Sequence, residues 1–539
     1  MDIFINDIQN HTNDIVMNDN DITTLKTIDF TNDVTIGKTS AGNVMIGRDA
    51  GLTSGLNTVS IGNSAGKNTQ SNNGIAIGEY AASTSQGIAS IGIGKFAGQT
   101  SQGDSAVSIG FSCGRDNQGV CGVAIGSDAG HTNQGNNSVA LGLNSGNVSQ
   151  GSNCVGIGTN AGFTSQGGNS VAIGNNAGNN TQSASSVAIG VSAGQQTQGL
   201  ASVAVGYQAG LTNQGTNSTA VGVNSGRDNQ GANALAVGNQ CGLDTQGQFA
   251  TAFGYYCGRN DQSDYATALG HQSGVASQGT NSVAIGSECG RNSQSASSVA
   301  IGNKAGYTTQ GGTSVAIGNN AGNNLQSFNS IAIGNGTGQI SQGSHSTSLG
   351  YLAGNNTQGS LSTAIGYQCG QTTQGQNSVA IGVSCGKDVQ GWSSVAIGRG
   401  AGTTNQDDSS VAVGYEAGND TQGQDSIAIG HGAGKTVQSQ KSIAIGLDSG
   451  STGQGQNSIA IGYGAGQINQ GQYSIALGSG AGNLSQHAST VVINGTNTGF
   501  TTNGSNRLFI NPIRGVALGK GVGVLYYDTV TKEIQYSTT

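Results

Sequence analysis

A five-residue motif returns every 16 residues through most of this chain. Ser170-Val171-Ala172-Ile173-Gly174 is followed by Ser186-Val187-Ala188-Ile189-Gly190, and then by Ser202-Val203-Ala204-Val205-Gly206. The closing glycine recurs without a slip from Gly62 to Gly478, 26 steps of 16 and hence 27 copies. Gly47 lies 15 residues before the first, and Asn494 takes the glycine's place after the last. At roughly 150 residues per domain, a length of 539 would suggest three or four domains. A fixed short period replaces that expectation with one array of stacked units.

Composition closes the other routes. A single proline excludes collagen. A net charge of −8 is too low for charge-driven disorder. The 18 Lys and Arg are spread thinly, so there is no basic footprint for nucleic acid. No run of 18 apolar residues is long enough for a helical membrane span.

Counted from the closing glycine, positions −3 and −1 carry branched or large apolar residues, as in Val283 and Ile285. Position −2 between them is small. This is the period-two alternation of a strand. No helix of ten or more residues fits between copies. Position +3 is small, +4 is Gly in every copy except at Ala82, and +8 is Gln in all 27. Each copy reads as a strand, a Gly turn, a second extended segment and another Gly turn. One such coil cannot offset its own backbone entropy, whereas stacked coils share a continuous core. The expected fold is an all-β parallel β-solenoid of about 27 coils. Residues 1–46 would be an N-terminal attachment or capping segment, 47–494 the array and 495–539 a small C-terminal β cap.

Three columns then acquire expected roles. Val and Ile at −3 and −1 would face inward. The small residues at −2 (Ala172, Ala188, Ala284, Ala300, Ala396) would form an outward strip for lateral contact with copies of the same chain. The glutamines at +8 (Gln70, Gln86, Gln182, Gln278, Gln374, Gln486) would stack as an amide ladder. At +1, Tyr207, Tyr255, Tyr351, Tyr367, Tyr415 and Tyr463 are candidate stacking surfaces for host glycans, with Trp392 in a nearby turn. The alternative is packing between chains.

Little points to chemistry. Cys113, Cys241, Cys257, Cys289, Cys369 and Cys385 fill the +3 slot as small, buriable residues. Cys241/Cys257 and Cys369/Cys385 would be stacked neighbours within disulfide reach. Free thiols are the default, because Met1–Asp7 has neither the basic nor the apolar region of a secretory signal. No CxxC, P-loop or repeated acid cluster is present. Asp407-Asp408 reads as a solvated turn. No enzyme, cofactor or metal is expected.

Asn-Ser-Val-Ala-Ile-Gly at 169–174, 281–286 and 377–382 resembles the head repeat of trimeric autotransporter adhesins. That resemblance implies a left-handed parallel β-roll packed as a homotrimer. The 16-residue step departs from that family's repeat, which is nearer 14. Asn506–Arg514, Val524–Asp528 and Thr531–Ser537 resemble the segment that closes many fibre proteins of phages and large DNA viruses. There it often precedes an intramolecular chaperone that assembles the trimer and cuts itself off, which would make Thr539 a processed end. Near the start, Ile8, Ile15 and Ile22 recur at seven residues, a short coiled-coil seam or an extended segment contacting virion or filament components. The leading expectation is a viral surface or tail fibre used in host attachment. A bacterial trimeric surface adhesin comes second. An ice-binding solenoid comes third, because +6 and +7 carry no clean Thr lattice.

Overall fold

The computed structural model describes residues 36–38, 42–513 and 524–537. The Ile8, Ile15 and Ile22 seam lies outside them. The chain divides into two compact units, 1–168 and 169–539. Each is a parallel β-solenoid of the same coil, and no helix occurs among the described residues. Seven of the glycine-closed 16-residue copies fall in the first unit and twenty in the second.

Every coil carries a strand over −3 to −1, as in Val171–Ile173. In most coils a second short strand ends on the glutamine, as in Thr181–Gln182. Equivalent positions stack in register. In the first unit Val123 pairs with Val139 and Ala124 with Ala140. In the second, Val187 pairs with Val203 and Ala188 with Ala204, while Gln182 pairs with Gln198 on the other wall. Strand propensity suits this arrangement, since Val and Ile dominate the first wall.

Turns need left-handed backbone, and glycine supplies it where space is also shortest. At Gly286 φ is +131°, and a Cβ there would lie 2.7 Å from the carbonyl oxygen of Gly302 in the next coil. At Gly290 φ is +51°, and a Cβ would lie 2.7 Å from the Gln294 side-chain oxygen. The closing glycine thus permits stacking, and the +4 glycine makes room for the glutamine.

The phase of the alternation is the reverse of the expectation. Ala172, Ala188, Ala284, Ala300 and Ala396 are all 0 % exposed within one chain. They fill the interior and form no outward strip. The flanking Val and Ile are only partly buried, as in Val283–Ile285 and Val299–Ile301. The reason is width. One glutamine side chain spans the coil from one wall to the backbone of the other, as Gln182 does to Val171. Beside it there is room only for Ala, Ser, Cys, Thr or Gly, so the large residues must face out.

The ends differ from the array. Ile36–Lys38 lies antiparallel on Val44–Ile46 in the first unit, covering the edge of that strand. In the second unit Val491–Asn494 and Leu508–Asn511 extend the parallel stack. An antiparallel hairpin of Val524–Tyr527 and Ile534–Ser537 follows in sequence.

Candidate functional site

The interior column is built around glutamine. Gln70, Gln86, Gln182, Gln278, Gln374 and Gln486 are each at most 2 % exposed. One bond is common to all 27: Nε2 donates to the −3 carbonyl of the same coil. Examples are Gln70 to Val59 at 3.2 Å, Gln278 to Thr267 at 2.7 Å and Gln486 to Ile475 at 2.9 Å. Many amides also donate to the −4 carbonyl of the next coil, as Gln86 does to Ser90 at 3.2 Å. Links between successive glutamines run in stretches, with Gln246 to Gln262 and Gln262 to Gln278 each at 3.1 Å. They are interrupted at nine glutamines, among them Gln294, Gln326 and Gln390, whose Oε1 receives no donor. The constant element is therefore a strut across the coil, and the ladder is secondary. The strut adds a second donor to a wall carbonyl that already takes part in the strand ladder, and it satisfies the amide of a fully buried side chain.

The outward face is where a partner would meet the chain. At −1, Ile109 is 37 %, Phe253 49 %, Leu349 43 % and Leu477 42 % exposed. The −3 residues beside them are mostly intermediate. In five coils the strand runs through the glycine to +1, as in Thr251–Tyr255 and Thr363–Tyr367. Positions −3, −1 and +1 thus form three adjacent outward columns within each unit. Sequence reasoning missed this face. The signal was present, because −4 and −2 are both uniformly small and belong to the same side of the strand.

The six predicted tyrosines border that face. Tyr207, Tyr255, Tyr351, Tyr367, Tyr415 and Tyr463 are all exposed. Three of them stack on their own column: Tyr351 on Tyr367 with centroids 5.2 Å apart, and Tyr255 on His271 at 5.5 Å. Trp392, 64 % exposed, lies in a groove of about 320 Å³ with Val389, Asp407 and Asp408. Equivalent grooves recur at Thr245–Thr280 and Thr421–Gln456, so this one is part of the solenoid's corrugation.

Charged groups pair across coils on the surface. Lys67 meets Asp49 at 3.1 Å, Lys95 meets Glu79 at 2.9 Å, and Lys435 meets Glu416 at 2.6 Å. The hydrogen bond from Lys435 holds the Glu416 carboxyl below the usual carboxylate range. Among the described residues no group of three or more His, Cys, Asp or Glu is placed to hold a metal ion. No described helix is long and apolar enough to cross a membrane.

Three stretches, 262–288, 393–417 and 439–465, match the family model of the YadA head domain repeat. Each spans two successive copies of the Val/Ile strand, and all lie in the second unit. None falls within 495–539. Neither a curated protein nor a solved structure matches the chain.

Proposed function

We propose that this chain is the structural shaft of a homotrimeric, adhesin-like surface fibre, its three copies packed side by side through the outward Val/Ile columns. The observation that carries the reading is the inverted strand. A solvated coil would place polar side chains at −3 and −1, yet those columns are Val, Ile, Leu, Thr and one Phe, coil after coil. Large apolar stripes rimmed by polar residues mark interaction surfaces. A stripe repeated in register on identical chains suits a closed ring of copies. The match to head repeats of an adhesin family supports the same conclusion.

The tyrosines at +1 continue this face, which favours packing between copies over glycan contact. Binding to a host surface would then rest on many weak contacts repeated along the fibre. The repeat match favours a bacterial surface over a viral particle, reversing the order that the C-terminal resemblance implied. Residues 1–46 stay the proposed attachment end. The role is structural, with length and stiffness set by coil number.

Sedimentation equilibrium of the full chain tests this reading. The expected mass is three times the 53.3 kDa of one chain. A species of 53.3 kDa at micromolar concentration would overturn it.

A further inference from the structure

Six cysteines share the +3 slot, all 0 % exposed. Four of them are stacked in pairs on adjacent coils. Cys241 Sγ lies 2.6 Å from Cys257 Sγ, and Cys385 Sγ lies 2.7 Å from Cys369 Sγ. Both separations are well inside the contact distance of two unbonded sulfurs. Adjacent strands hold Cα atoms about 4.8 Å apart, within the roughly 4.4–6.8 Å that disulfides span. Both side chains of each pair enter the interior from the same slot, one coil apart. We propose that Cys241–Cys257 and Cys369–Cys385 are disulfide sites, each stapling one coil to the next. This inference stands apart from the trimer reading.

The same slot supplies its own control. Cys113 and Cys289 have no cysteine above or below them; their stacked neighbours are Ala97 and Ala129, and Ser273 and Ala305. Burial pushes both of those thiols up to about 12, which makes them inert. In the pairs the neighbouring thiol acts the other way. A hydrogen bond from Cys257 lowers Cys241 below the ordinary thiol value, and one from Cys385 lowers Cys369. The same bond, with burial, pushes Cys257 and Cys385 the other way.

Oxidation removes two protons and two electrons per bridge. A small-molecule disulfide, such as oxidised glutathione, accepts them. The Cys241 thiolate attacks that disulfide and releases one small thiol, leaving a mixed disulfide. The Cys257 thiolate then attacks the Cys241 sulfur and releases the second. Because the slot is closed in the finished coil, this exchange belongs to folding or to transient opening.

The test counts thiols in the full chain. The protein is equilibrated with oxidised and reduced glutathione at a denaturant concentration that opens coils transiently, and then returned to buffer. The exposed Cys121 is alkylated. The chain is next unfolded without reductant and titrated. Three free thiols are expected (Cys113, Cys154 and Cys289), rising to seven after reduction. Peptide mass mapping should join Cys241 to Cys257 and Cys369 to Cys385. In the double variant C257A/C385A, Cys241 and Cys369 should also titrate before reduction, giving five thiols. Seven thiols in the unreduced wild-type chain, or bridges joining other cysteines, would overturn the proposal.

Discussion

Two stretches of the second unit show what governs the interior. In the middle, the −2 column runs Ala284, Ala300, Ala316 in register, each 0 % exposed. At the end, the same column runs Ala476, Val492, Phe509. Val492 is fully buried, and Phe500 and Phe509 pack against its cluster with ring centroids 5.7 Å apart. One register slot thus grows from Ala to Phe in two steps. The glutamine is what differs. Gln486 makes the last strut, to Ile475. Eight residues after Asn494 stands Thr502. Where the strut is present the opposite slot must be small. Where it ends, large apolar groups plug the stack, as the terminal unit of a solenoid requires. Alanine at −2 and glutamine at +8 are one packing device.

That contrast can be broken at its strongest point by importing the end into the middle. Ala284→Leu should lower stability by about 3 kcal/mol, through overpacking against Gln294 and the neighbouring alanines. Denaturant midpoints read the effect. Combining it with Gln294→Ala should cost less than the sum of the two single changes, because both act on one space. Strict additivity would show that Ala and Gln do not share it.

The next effect removes the strut alone. Gln278→Leu leaves the Thr267 carbonyl without its amide and Gln262 without its acceptor. The expected loss is about 2 kcal/mol, seen in thermal or denaturant melts. An unchanged midpoint would mean that the strut is dispensable.

Much of this was legible in the sequence, and the limit is physical. The 16-residue step, the strand and the glycine turns follow from the pattern of residues. Alternation defines two faces of a strand but not which one is buried, and a shift of one residue exchanges them. Hydrophobicity favoured Val and Ile inside. The narrowness of a 16-residue coil decided for Ala. The glutamine column was visible too, but its partner was not. The −3 carbonyl is recognisable as an acceptor only once the two walls face each other across one side chain. Phe509 falls within the expected C-terminal cap, whereas its place above Val492 depends on register.

Smaller effects sharpen the account at the end and on the surface. Phe509→Ala should cost about 1–2 kcal/mol, the partial burial reducing the full penalty of losing an aromatic side chain. Hydrogen exchange should localise the loss to 491–511 and leave the middle coils protected. Lys435→Ala should cost less than about 1 kcal/mol, since the ion pair is solvent-screened. Its signature is in pH. The folded Glu416 carboxyl titrates below its unfolded value, so the pair's contribution is present above the unfolded value and is lost as pH falls through the folded one. In Lys435→Ala that acid-side loss should shrink.

The central claim is that −2 faces in while −1 faces out. Its most direct test is amide hydrogen exchange across residues 270–302 in Ala284→Asp and Ile285→Asp, two variants differing by one position along the strand. The account predicts that Ala284→Asp opens these coils, because a carboxylate enters a closed interior. It predicts that Ile285→Asp keeps their protection and changes association instead. The opposite pattern, with protection lost in Ile285→Asp and kept in Ala284→Asp, would contradict it.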